Sequence, residues 1–229
     1  MESICRSHLG LVRQNNEDRC YVDPDGRYAA LADGMGGLQA GEVAAEVAVD
    51  TVRALAQQVA IDEAFVQQAL QDAHIAVRSK ALEIALVGHM GTTLLIWAQT
   101  EHGCVVGHVG DSRAYAVRAG EVVQLTKDHS VAQRMIDLGL VADNEQTPNR
   151  HVLTQALGLP GDFEPEVLTL VDEADGYLLC SDGLSDLLTP AQLAEHLAMD
   201  ELEAAAVGLE QAALDAGGHD NITFVLIRP

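Results

Sequence analysis

Short apolar runs closed by turn residues alternate along this chain with two long stretches of helical period. Residues 4–12, 19–22 and 28–32 read as strands, with Asp23-Pro24-Asp25-Gly26 as the turn between the last two. Over 41–60 the spacing changes. Ala44, Val47, Ala48, Thr51, Leu55 and Val59 recur at three- and four-residue steps as one apolar stripe, which predicts a helix. A second helix is predicted over 62–86, where Phe65, Ala69, Ala73, Val77 and Ala81 repeat every four residues. Both should lie against a sheet. The runs 92–99, 103–110, 114–118 and 122–126 are short and β-rich and predict an antiparallel meander. A short helix over 131–138 leads into 139–150, a polar stretch without clear period. Strands near 167–171 and 177–180, helices near 190–198 and 201–216, and a closing strand over 222–227 complete the pattern. Strands in runs, interspersed with helix pairs, predict an α+β fold with antiparallel sheets and argue against a parallel dinucleotide-binding sheet.

Four of these apolar stretches meet an aspartate at a turn. They are Ala29-Ala30-Leu31-Ala32-Asp33-Gly34, the run 105–109 before Gly110-Asp111-Ser112, Tyr177-Leu178-Leu179-Cys180-Ser181-Asp182-Gly183, and Asp220-Asn221 leading into 222–227. Loops at strand ends are where functional groups gather. Carboxylates brought together there repel and raise one another's pKa, unless a hard divalent cation, which prefers oxygen ligands, holds them ionised. The pattern predicts a metal site built from distant segments.

Composition narrows the setting. The chain has 229 residues with no linker, repeat or low-complexity tract, and reads as one domain over 1–229. Hydrophobic residues make up 48% but aromatics only 3%, so the core must be aliphatic. No apolar stretch approaches the ~20 residues of a membrane span, and the start, Met1-Glu2-Ser3-Ile4-Cys5, is no signal peptide, which together predict a cytoplasmic protein away from membranes. Cys5, Cys20, Cys104 and Cys180 are widely spaced, in or near apolar runs, and read as buried free thiols. A net charge of −22, with 13 Lys and Arg, argues against nucleic acid as a partner. It also disfavours an anionic substrate, unless cations at the site reverse the local potential.

The remaining motifs carry chemistry only in combination. Arg13-Gln14-Asn15-Asn16-Glu17-Asp18 puts a guanidinium, whose fork matches a phosphate, near two carboxylates. Asp33-Gly34-Met35-Gly36-Gly37 permits tight turns and close backbone approach, but it lacks the Gly-Lys-Ser/Thr of a nucleotide-binding loop and the spacing of a dinucleotide fingerprint. Ser181 lacks a Gly-x-Ser-x-Gly elbow, so a serine hydrolase is rejected.

Taken in order, Arg13 to Asp18, Asp33 to Gly37, Met90-Gly91-Thr92-Thr93, Val109 to Arg113, Asp128-His129-Ser130, Ser181-Asp182-Gly183-Leu184 and His219-Asp220-Asn221 span nearly the whole chain. Together they resemble the metal-dependent PP2C (PPM) family of Ser/Thr protein phosphatases, in its bacterial form. The resemblance implies an α-β-β-α sandwich, with two central antiparallel sheets flanked by helix pairs and a cleft at one end. It implies two Mn²⁺ or Mg²⁺ ions and a weaker third. Asp33 would bridge the two ions, with the Gly34 carbonyl as a further ligand; Asp182 and Asp220 would hold the first and Glu17 the second, partly through water. Asp111 would help bind the third, Asp18 would stand one step behind the ligands, and Arg13 would bind the substrate phosphate. A water bridging the ions would attack phosphorus in line, so Arg13, Asp33, Asp182 and Asp220 carry the reaction.

The implied activity is hydrolysis of phosphoserine and phosphothreonine on proteins by a monomer, opposing a bacterial Hanks-type kinase, with a flap near 131–150 that sets substrate choice. A binding module without turnover would have lost one of Asp33, Asp182 and Asp220, and all are present. A partner-switching phosphatase acting on an anti-sigma antagonist often lacks the Arg13-type residue and the flap, and both are here. The general acid is not identified: many eukaryotic relatives have His at the position of Met35, and some bacterial ones at that of Leu38, and neither residue here donates a proton. His129 and His219 read as structural hydrogen-bonding groups, and His151 as part of a hinge.

Overall fold

In the computed structural model, which describes residues 1–36, 40–84, 89–142, 147–171 and 174–229, the apolar runs pair into two sheets. The chain opens with β1 (Glu2–His8), β2 (Asp18–Val22) and β3 (Tyr28–Met35), followed by helices α1 (Ala40–Ala56) and α2 (Glu63–Glu83). The middle third holds β4 (Gly91–Thr92), β5 (Leu94–Thr100), β6 (Gly103–Val109), β7 (Arg113–Arg118), β8 (Glu121–Gln124) and α3 (Val131–Asp137). It closes with β9 (Glu166–Leu170), β10 (Gly176–Cys180), α4 (Asp182–Ser185), α5 (Pro190–Leu197), α6 (Leu202–Asp215) and β11 (Ile222–Arg228). One sheet runs β1-β11-β10-β7-β8, the other β2-β3-β5-β6-β9 with β4 beside β3, and the pairings are antiparallel.

Three apolar layers hold this together. Alanines and valines of α1 and α2 pack on one face of the β3-containing sheet, around Phe65, Leu70 and Leu94. Leu31, Leu95 and Trp97 of that sheet meet Tyr177, Leu179 and Val225 of the other in the middle layer. Leu193, Leu202 and Leu209 of α5 and α6 cover the outer face of the second sheet against Leu178 and Phe224. The sandwich expected from the resemblance is the one observed. All five predicted α2 positions are buried, and the Asp62 carboxylate caps this helix by accepting from the Phe65 N–H at 2.9 Å.

Several local expectations differ. The buried face of α1 is centred on Ala44, Ala45, Ala48, Val52 and Leu55; Val47 and Thr51 lie at its margin, and Val59 falls beyond the helix end. In a helix this rich in alanine, hydrophobic contrast does not fix the rotation, and the small side chains let it settle closely on β3. The first strand stops at His8 because Gly10 turns the chain with φ 79°, where a Cβ would lie 2.2 Å from the Asp220 carbonyl oxygen. Leu11 and Val12 therefore belong to an exposed loop. The meander over 92–126 is two hairpins in different sheets: β5 and β6 pair in one, β7 and β8 in the other, and the chain crosses between layers at Gly110-Asp111-Ser112. Period-two patterning marks a strand but not its sheet.

The reading of four buried free thiols is corrected for two of them. Cys104 and Cys180 are free and buried, but exposed Cys5 on β1 and half-buried Cys20 on β2 form a disulfide between edge strands of the two sheets. Among the described residues no helix is long and apolar enough to cross a membrane.

Candidate metal and phosphate site

The strand ends that carry the aspartates converge at one end of the sandwich. Asp33 lies near the end of β3, held through its backbone: its N–H donates to Thr93 Oγ1 at 2.9 Å, and its carbonyl accepts from the Thr93 N–H and from Thr92 Oγ1. Gly34 packs against Gly41 at the start of α1, so closely that a Cβ on Gly34 would lie 2.1 Å from the Gly41 carbonyl oxygen. A Cβ on Gly41 would meet Glu17 Oε2 at 2.4 Å, so the Glu17 carboxylate lies over this crossing. Two glycines let strand, helix and carboxylate share one place.

The opposite sheet supplies Asp182, at the start of α4, and Asp220, just before β11. Between them Ser181 Oγ donates to buried Asp18 at 2.9 Å and accepts from the Thr223 N–H at 3.1 Å. Asn221 ties down the loop that carries Arg13: it accepts from the Glu17 N–H at 2.9 Å and donates to the carbonyls of Leu9 and Asn15. Arg13 itself donates to Asp220 Oδ2 at 2.6 Å. Asp111 arrives on the turn between sheets, where Ser112 Oγ and Thr93 Oγ1 are 2.8 Å apart and link this turn to Asp33.

These groups surround a cleft of ≈ 420 Å³ lined by Arg13, Glu17, Asp33, Gly34, Asp111, Asp182 and Asp220. Every residue given a metal or phosphate role from the sequence lines it except Asp18, which sits behind Asp33 as its cross-strand partner. Burial first, then the carboxylates of Asp18, Asp182, Asp111 and Asp220, push the Asp33 carboxyl well above the usual range. Burial and then Asp182 and Asp128 lift Asp111 to about 7. Burial likewise lifts Asp18 to about 7 against the hydrogen bonds from Thr223 and Ser181, and it raises Glu17 despite Arg13. The Asp220 hydrogen bond raises Arg13 further. A crowd of oxygen donors whose mutual repulsion one guanidinium does not offset fits hard divalent cations.

One residue lining the cleft, His151, and one beside it, Asp186, escaped the sequence reading. His151, expected in a hinge, is exposed and directs Nδ1 to within 3.9 Å of Asp182 and 3.8 Å of Asp186, and the nearby Asp182 carboxylate, then Asp186, raise its pKa. Asp186 follows Asp182 by one helical turn, a spacing that puts both carboxylates on one face and was legible in principle. His151 follows a stretch without period and gave no such signal. Met35 lines the cleft with a thioether, and Leu38 lies outside the described residues.

Two helix-backed antiparallel sheets with an oxygen-rich acidic cleft between their strand ends define an α-β-β-α sandwich whose cleft suits divalent cations. Residues 6–212 match the family model described as Protein phosphatase 2C, and the chain belongs to that family. It is 38% identical over 229 residues to the serine/threonine protein phosphatase PstP of Mycobacterium tuberculosis, an alignment that covers 96% of this chain and 43% of that protein. The chain thus spans less than half the length of that relative. It is 32% identical over 239 residues to the protein phosphatase PhpP of Streptococcus pneumoniae, covering 99% of this chain and 97% of the relative. Among solved structures, M. tuberculosis PstP superposes with a TM-score of 0.90 at 35% identity, covering 99% of this chain and 97% of that one. A second structure of the PstP catalytic domain, with TM-score 0.89 and the same identity and coverage, is a complex with 2 manganese ions. Staphylococcus aureus Stp1 superposes with a TM-score of 0.91 at 28% identity, covering 100% of this chain and 94% of that one.

Proposed function

We propose that this protein is a divalent-metal-dependent phosphatase that hydrolyses phosphoserine and phosphothreonine on protein substrates. The observation that carries the reading is the meeting of Asp33, Asp111, Asp182, Asp220 and Glu17 in one cleft with Arg13 as its guanidinium. Asp33, the Gly34 carbonyl, Glu17, Asp182 and Asp220 would hold two Mn²⁺ or Mg²⁺ ions, and Asp111 a weaker third. Bound there, the ions supply the Lewis acidity that makes a water nucleophilic near neutral pH and the charge that receives a phosphate dianion. Arg13 presents its fork to the phosphate oxygens, and Asp220 keeps that guanidinium at the rim of the cleft. Asn221 holds the Arg13 loop through its hydrogen bonds to the Leu9 and Asn15 carbonyls. Asp18, hydrogen-bonded to Ser181, backs Asp33 from the core side.

The relatives named as serine/threonine phosphatases support phosphoproteins as the substrate class. We place the enzyme opposite a Hanks-type Ser/Thr kinase, as a cytoplasmic monomer of a single catalytic domain. The test is hydrolysis of p-nitrophenyl phosphate and of a phosphothreonine peptide in Mn²⁺, Mg²⁺ or EDTA, beside Asp182→Asn. Turnover that requires metal and collapses in the variant is expected. Folded protein that binds Mn²⁺ and phosphopeptide without turnover would make this a binding module instead.

A further inference from the structure

Behind the Asp111 turn stand His108, His129 and Glu166, none of which lines the cleft. The register of β6 and β9 sets His108 directly opposite Glu166, and the imidazoles of His108 and His129 stack with centroids 4.5 Å apart. Both rings turn Nε2 toward that one carboxylate, at 3.3 Å from His108 and 3.7 Å from His129. His108 is 1% exposed and His129 11%, whereas Glu166 reaches solvent. Burial lowers both imidazole pKa values, His108 to about 4, so both rings are neutral near pH 7 and each carries a single N–H. The Gly110 N–H donates to His129 Nδ1 at 3.3 Å, which leaves the proton of that ring on Nε2, facing Glu166. Two imidazoles and a carboxylate have the makeup of a transition-metal site. On His129, however, Nε2 keeps its proton and offers no lone pair to a metal; that N–H faces Glu166 across 3.7 Å, while His108 Nε2 is within hydrogen-bonding distance of the same carboxylate at 3.3 Å.

What the cluster grips is Gly110. Its carbonyl accepts from the His129 backbone N–H at 2.8 Å, while its own N–H donates to the His129 ring. Gly110 has φ 107°, and a Cβ there would lie 2.5 Å from Thr93 Cγ2, so this bend needs glycine. Beyond Asp111, Arg113 makes two hydrogen bonds to Asp128, at 2.8 and 2.6 Å. The pair Asp128-His129 therefore clamps the turn on both sides of Asp111. We infer that His129, its ring oriented by Glu166, is a positioning residue that holds Gly110 at both backbone groups and so fixes how Asp111 faces the cleft and how tightly the weakest divalent ion binds. The inference rests on Asp111 being a ligand, as in the proposed function.

The test is titration of metal-free protein with Mn²⁺ by calorimetry, with bound ions counted by electron paramagnetic resonance. His129→Ala is expected to weaken the weakest Mn²⁺ step about tenfold or more, the size of change that partners behind metal ligands commonly make, and to leave the tighter steps in place. Asparagine puts an amide oxygen where Nδ1 stands, so His129→Asn is expected to restore most of that step. Glutamine reaches the Nε2 position without an acceptor for the Gly110 N–H, and His129→Gln should behave like His129→Ala. Should His129→Ala fail to fold, Glu166→Ala at the solvent edge is expected to weaken the same step. Unchanged Mn²⁺ binding in the folded variants, or indistinguishable Asn and Gln variants, would overturn the inference. Asp111→Asn separates the two ways of failing. If it abolishes the weak step while the His129 variants keep it, the clamp alone is wrong; if it leaves the step intact, the ligand assignment falls and takes the clamp with it.

Discussion

Asp18 and Asp111 are held near pKa 7 in the folded chain, against about 4 for an unfolded aspartate. Between those values the folded state keeps protons that the unfolded state has lost. The associated stability is complete below pH ~4 and disappears as pH rises through about 7. Asp33, raised further in the same direction, adds to the trend. Metal-free protein should therefore melt at a lower temperature at pH 8 than at pH 5 in EDTA, and Mn²⁺ should remove most of that difference. Thermal melts at both pH values, with and without metal, check it; a metal-free melting temperature that rises with pH would contradict this account of the carboxylates. The functional cost of the cluster is thus readable as a stability deficit.

Strand, helix and turn geometry decide whether those carboxylates meet. The crossing of β3 over the start of α1 depends on Gly34 and Gly41, and Gly34→Ala would drive a methyl group against the Gly41 carbonyl. A loss of about 1–3 kcal/mol in denaturant unfolding is expected for such overpacking, together with weaker Mn²⁺ binding, because Glu17 and the Gly34 carbonyl share the crossing. Much of this level was legible in the sequence. The α2 stripe stood out because Phe65, Ala69, Ala73, Val77 and Ala81 repeat every four residues with Gln, Asp, Arg and Lys between them, and Asp33, Asp111, Asp182 and Asp220 stood out because each borders an apolar strand. The rotation of α1 did not, since alanine lies on both its faces. Neither did the sheet change at Gly110, the Cys5–Cys20 bond or the approach of His151 to Asp182, because each is settled by packing between segments far apart in the chain.

At the scale of the molecule, the chain carries 35 acidic residues against 13 basic ones, and under the proposed function its cleft has to admit a phosphate. Long-range repulsion then favours phosphosites embedded in basic sequence. Phosphothreonine peptides flanked by Arg or Lys should show kcat/KM about tenfold above acidic-flanked ones at low salt, with the gap closing as ionic strength approaches about 1 M. Equal rates at low salt would show that the local cations alone set the approach of substrate. The cleft also straddles a seam: Asp33 comes from one sheet, Asp182 and Asp220 from the other, and Asp111 from the turn that crosses between them. An ion bound there would be a rivet through both layers, which Trp97, Tyr177, Leu179 and Val225 hold apart, so its grip should follow their spacing. Under the proposed function, metal affinity would therefore be a gauge of hydrophobic packing that lies well beneath the cleft, and any change that lets the layers slip should be felt first as a loosened ion.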